Sequence, residues 1–123
     1  MVIVTHNFKD LLVWQKSRVL VKEIYLITQD LPNSEKFGLC GQIRRAVVSI
    51  VANIAEGCGR NSNKELIKFL GYSLGSAYEL ETELILATDI GYLSVETINN
   101  IMPQLVEIEK MILGLMTKIS KEC

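Results

Sequence analysis

The chain reads as an all-α protein, an antiparallel up-down-up-down four-helix bundle, on three observations. Apolar residues recur at helical spacing through nearly all of its 123 residues. Prolines number two and glycines eight, too few for the many turns of a sheet-rich fold. Three short breaks, near Leu31–Ser34, Gly57–Asn61 and Gly91–Ser94, separate four helical segments with no linker or low-complexity stretch between them. Short connections make consecutive helices antiparallel neighbours. The expected helices run over about 8–29, 35–56, 63–90 and 95–120, within one domain spanning 1–123.

The first helix is apolar around much of its circumference, through Leu11, Leu12, Val13, Trp14, Val19, Leu20, Val21, Ile24, Tyr25, Leu26 and Ile27. That is more than one bundle core needs, so part of this surface is expected to lie against a second molecule. Leu31-Pro32-Asn33-Ser34 ends it, and Asn33 or Ser34 is expected to cap the second helix. Gly57-Cys58-Gly59 is expected to stop the second helix, since glycine takes the left-handed conformation found after helix ends. Ser62-Asn63-Lys64-Glu65 has the spacing of a capping box and starts the third helix; Gly91 ends it. Ser94 caps the fourth, where Ile98, Leu105, Ile112 and Ile119 repeat at seven. Ile101, Ile108 and Leu115 follow three residues after the first three, completing the a/d seam of near-parallel bundle helices. Pro103 lacks an amide donor and is expected to kink this helix or mark a restart near Met102.

Composition bounds the function. With 49% hydrophobic and 22% charged residues, the chain is an ordinary soluble domain, expected in the cytoplasm. Its longest interior stretches without a charge, 46–55, 69–78 and 97–106, are ten residues each, and a bilayer span needs roughly 20. Met1 to Trp14 contains His6, Lys9 and Asp10 and lacks the apolar core of a secretory signal. Cys40, Cys58 and Cys123 form no Cys-x-x-Cys pair, and His6 is the single histidine, so the chain cannot supply the four clustered ligands of a structural zinc site. Cys40 is expected to be a buried reduced thiol. No cofactor is expected. The net charge of −1 divides unevenly: residues 1–60 hold eight Lys/Arg and five Asp/Glu, and residues 61–123 hold five and nine. The two halves should therefore attract each other, within the fold or across subunits.

One line of polar groups crosses the second helix. Gln42, Arg45, Ser49, Asn53 and Glu56 fall within about 80° on a helical wheel, opposite Ile43, Val47, Ile50, Val51 and Ile54. On the third helix Glu65, Tyr72, Ser76, Glu79 and Glu83 fall within about 60°. Antiparallel packing brings Arg45 near Ser76 and Glu79, so an Arg45–Glu79 ion pair, helped by Gln42 or Ser49, is expected to satisfy the charges. In a dry site, removing Arg45 would cost roughly 3–5 kcal/mol; in a wet one, nearer ~1 kcal/mol. The line serves either as a structural network fixing helix register or as a polar groove that binds something. Catalysis lacks its parts: no histidine lies in the expected core, and no Glu-x-x-His motif of a di-iron bundle is present.

A second candidate is basic. Arg60, Lys64 and Lys68 lie at or just after the start of the third helix, beside the donors of Asn61, Ser62 and Asn63, with Arg44 on the flank of the second helix. Phosphate contact and a solvated helix end both explain this pattern.

These residues carry a resemblance over nearly the whole length. Phe8, Leu11, Trp14 and Gln15, then Tyr25 and Pro32, then Leu39, Gln42 and Arg44-Arg45-Ala46 stand in a pattern that continues through Ser49-Ile50, Asn53-Ile54-Ala55-Glu56-Gly57, Arg60, Gly75-Ser76 and Glu79-Leu80. The chain resembles the four-helix-bundle proteins encoded in intervening sequences of bacterial 23S ribosomal RNA genes, relatives of the accessory proteins of diversity-generating retroelements. It departs from them at Val51, where proline is frequent, and at Ser73, where alanine is favoured. The resemblance implies a non-enzymatic homo-oligomer, typically a pentamer, associated with RNA or a ribonucleoprotein. The alternative is a structural adaptor that binds another protein through the oligomer surface.

Overall fold

The computed structural model describes residues 7–122; His6 and Cys123 fall outside that range. Four helices form it: α1 (Leu12–Ile27), α2 (Leu39–Cys58), α3 (Asn63–Ile90) and α4 (Val95–Ser120). Each packs on two neighbours, α1 and α3 both lying against α2 and α4, as in a four-cornered bundle with no diagonal contact. Among the described residues there is no strand, and no helix is long and apolar enough to cross a membrane.

The seven-residue repeat of α4 sits where its spacing puts it. Ile101, Leu105, Ile108, Ile112 and Ile119 are buried, with Ile98 and Leu115 partly buried at the margins. Leu20 and Ile24 of α1, Ile43, Ile50 and Ile54 of α2, and Leu70, Leu80 and Leu84 of α3 complete the interior without exposed surface. Burying each such side chain contributes about 1.5–3 kcal/mol, and the aliphatic layers hold the helices at the register that shapes the surface grooves.

Helix ends differ from expectation at three places. The first segment is broken: Asn7 Oδ1 accepts from Lys9 N–H at 3.1 Å and starts a 3-10 turn over Phe8–Asp10, and Leu11 is extended before α1 begins. Gln15 Nε2 donates to Lys9 O at 2.8 Å and pins that turn. The second correction concerns α2, which starts at Leu39 rather than near residue 35, because Asn33–Glu35 form a 3-10 turn. The cap is Glu35, whose Oε1 accepts from Leu39 N–H at 3.0 Å; Asn33 and Ser34 make no such bond. Third, within the Gly57-Cys58-Gly59 stop, α2 continues through Gly57 to Cys58, and Gly59 caps it at φ −86°, outside the left-handed region. Gly57 is buried, and a Cβ there would lie 3.0 Å from both Leu66 Cδ1 and Phe69 Cβ and 3.3 Å from Leu66 O. This glycine serves close approach of α2 to α3, with its backbone helical.

Elsewhere the local signals hold. Ser62 Oγ accepts from Glu65 N–H at 3.2 Å, and Ser94 Oγ from Thr97 N–H at 3.1 Å. Gly91 has φ +93°, the left-handed turn that closes α3. Pro103 is exposed inside an unbroken α4, so there is no restart at Met102. One further bond ties two connections together: Tyr92 Oη, after α3, donates to Glu35 Oε2, before α2, at 3.1 Å.

Candidate functional site

The two polar lines meet on the α2–α3 seam. Gln42, Arg45, Ala46, Ser49 and Glu79 line an open groove of about 450 Å³. Ser76 Oγ donates to Ser49 Oγ at 3.0 Å, and Asn53 Nδ2 donates to Ser49 O and Oγ, both at 2.9 Å. Below them, Ser73 Oγ donates to Ile50 O at 2.7 Å in the interior. The small side chains of this seam let α2 and α3 lie close while their hydroxyls bond across it.

The outer part of the line is not joined. Arg45, Gln42 and Glu79 are exposed, and the expected Arg45–Glu79 ion pair is absent. Among the described residues the ion pairs are Lys16–Glu107 and Arg60–Glu56, at 2.9 Å and 2.8 Å. The Arg45 guanidinium passes near Gly41, where a Cβ would sit 3.2 Å from Nη1. Glu56 leaves the network for Arg60. Glu83 lies beneath the groove, 5% exposed, with one carboxylate oxygen unpartnered. Burial pushes its carboxyl up to about 7, the neighbouring Glu79 charge adds to this, and Arg45 opposes it.

The four basic residues do not make one patch. Arg44 closes the end of α1: Nε donates to Thr28 Oγ1 at 3.0 Å, Nη2 to Tyr25 O at 3.2 Å, and the guanidinium lies 4.5 Å from the Tyr25 ring centroid. Its position in α2 is roughly 20 Å along the helix axis from the end where α3 begins. Arg60 pairs with Glu56 and lies 4.5 Å from the Phe69 ring centroid. Lys64 and Lys68 are exposed, one turn apart, with no carboxylate within ion-pair range.

This bundle, with its α2–α3 seam, is one that other proteins share. Residues 9–114 match the family described as 23S rRNA-intervening sequence protein. The chain belongs to that family. It is also similar to a crystal structure of a protein of unknown function from the S23 ribosomal protein family of Bacteroides thetaiotaomicron. That likeness has 30% identity and a TM-score of 0.79, and covers 85% of this chain and 98% of the other. No curated protein matches the chain.

In this member of the 23S rRNA-intervening sequence protein family, sequence reasoning missed a pair of acids on the α3–α4 seam. Glu109 of α4 is 6% exposed and is hydrogen-bonded to Glu81 of α3, while its Oε2 has no partner. Burial raises the Glu109 carboxyl to about 8, assisted by the hydrogen bond it donates to Glu81 and by that residue's charge. The signal was present: Glu109 stands in a seven-residue column between Met102 and Met116, where a solvated charge is out of place. No group of three or more His, Cys, Asp or Glu among the described residues is placed to hold a metal ion.

Proposed function

We propose that this protein is a non-enzymatic homo-oligomeric scaffold, built by repeating one contact between the α1 face of one copy and the α3–α4 face of the next. The observation that carries this reading is a stripe on α1. Leu12, Val19 and Leu26, seven residues apart, are 55%, 59% and 53% exposed. Single exposed apolar residues are ordinary, but three in line on one helix make a face that solvent disfavours. A second apolar face flanks the α3–α4 seam, where Tyr78, Ile85 and Leu113 are exposed. The two faces differ in charge. α1 carries Lys16, Arg18 and Lys22 against Glu23, whereas the α3–α4 seam carries the acids Glu81 and Glu109. Two unlike, complementary patches on one chain make a head-to-tail contact, which forms a ring when the rotation between copies closes. Five copies is the ring size that the family resemblance supplies.

Native mass spectrometry with light scattering tests this. The expected result is one closed oligomer for the wild-type chain and dissociation to monomer on Val19→Glu. A wild-type chain that stays monomeric at micromolar concentration overturns the reading.

A second reading, contact with RNA, is favoured by the unpaired Lys64 and Lys68 at the start of α3. A ring presents one such patch per copy, so weak phosphate contacts add through avidity. RNA retention should fall steeply with salt and with Lys64→Glu/Lys68→Glu; retention unchanged by that reversal removes the patch. Nuclease-insensitive capture of one protein would support the adaptor alternative instead.

A further inference from the structure

The Glu81–Glu109 pair lies in the middle of the α3–α4 face. Tyr78 and Ile85 are three and four residues from Glu81, and Leu113 is four from Glu109, so all three exposed side chains neighbour the pair on their helices. A carboxyl hydrogen-bonds another carboxyl only when one of them holds a proton. The pair is thus a neutralised acid site within an apolar surface, opening outward through half-buried Glu81. Glu109, more than nine-tenths buried, keeps one oxygen without a partner. The charged group facing Glu109 is Glu81 from α3; its own helix offers Met102 and Met116 on that column, and the α1 cation on α4, Lys16, is taken by Glu107. Among the described residues no cation forms an ion pair with either acid.

The opposite face has one to give. Lys22 is exposed and unpaired, three residues after Val19 and four before Leu26, at the edge of the α1 stripe. We propose that the Glu81–Glu109 pair is the polar anchor of the subunit contact, receiving the Lys22 ammonium of a second copy of this chain and releasing its shared proton to solvent as the contact forms. This rests on the assembly reading above. It adds which residues meet and makes assembly proton-linked. One proton leaves per contact, so association tightens by up to about tenfold per pH unit while the free pair holds its proton, and levels off once that proton is lost.

The test follows the association constant of the full chain by sedimentation velocity between pH 6 and pH 9. Lys22→Glu should weaken association at least tenfold, and Lys22→Glu with Glu81→Lys should restore it. Glu81→Gln keeps the side-chain shape and should flatten the pH dependence while circular dichroism shows the helices intact. A wild-type monomer overturns the assembly reading and this one with it. An oligomer whose association ignores Lys22→Glu, or whose pH dependence survives Glu81→Gln, overturns the anchor and leaves the assembly standing.

Discussion

Three glycines inside helices give a matched experiment. Gly57 of α2 is buried against α3, whereas Gly75 of α3 and Gly114 of α4 have nothing within 4 Å of an added Cβ. Replacing glycine by alanine in a helix interior gains about 0.5–1 kcal/mol, because the freer glycine backbone loses more entropy on folding. Gly75→Ala and Gly114→Ala should each stabilise by that amount. At Gly57 the same gain is opposed by contacts at 3.0 Å and 3.3 Å, two of them to Phe69 Cβ and the Leu66 carbonyl, which cannot move without the α3 backbone. Overpacking of this kind costs about 1–3 kcal/mol, so Gly57→Ala should destabilise by about 1 kcal/mol net. Urea unfolding followed by circular dichroism, at one protein concentration and with unchanged m, reads the contrast as midpoints shifted in opposite directions. If Gly57→Ala stabilised as much as Gly75→Ala, the close-approach account of this residue would be wrong.

The buried acid gives a pH signature in the Lys22→Glu background, where the proposed contact is broken. Glu109 holds its proton to about pH 8 in the folded chain and to about 4.5 when unfolded, so the folded state binds more protons between these values. Stability therefore falls as pH rises through that window, by at most ~1.4 kcal/mol per unit from this group, with buried Glu83 adding its own loss up to about pH 7. Glu109→Gln should remove the slope that remains above about pH 7, and an unchanged slope there places the titration elsewhere. Arg45→Ala should cost no more than ~1 kcal/mol, because its guanidinium is already in solvent, and a loss of several would mean that the groove closes over it. Arg44→Ala, which removes two bonds to the end of α1 and a ring contact, should cost about 2 kcal/mol in thermal or urea unfolding; a neutral result would show that Thr28 and Tyr25 do not need it.

Much of the fold was legible because its signals are local. The α4 seam, the Ser62 and Ser94 caps and the Gly91 stop each depend on residues within one or two turns, and each stands where the spacing puts it. Glu35 was missed as a cap because a glutamate reaches Leu39 N–H only through the 3-10 turn that precedes α2. Gly57 misled for a related reason: a glycine near a helix end looks alike whether it turns the chain or admits a neighbour. In the candidate site, wheel angles placed Ser49, Asn53 and Ser76 on one seam, where they now bond. They could not say that Arg45 stays exposed and apart from Glu79, or that Phe69 and Glu56 together hold Arg60. Charges choose partners by distance across the bundle, and periodicity carries only direction.

The hydrogen bond from Tyr92 to Glu35 bears on the order of events when the chain folds. The α2 and α3 helices are joined by four residues and share the longest seam, so their hairpin closes a short loop and gains contacts early. Tyr92 and Glu35 stand 57 residues apart and meet only after α2 and α3 are in place and the connections flanking them are aligned. This geometry predicts folding from the middle of the chain outward, with this bond among its last steps. Tyr92→Phe should accordingly speed unfolding and leave the folding rate unchanged; slowed folding would put the tie in the nucleus.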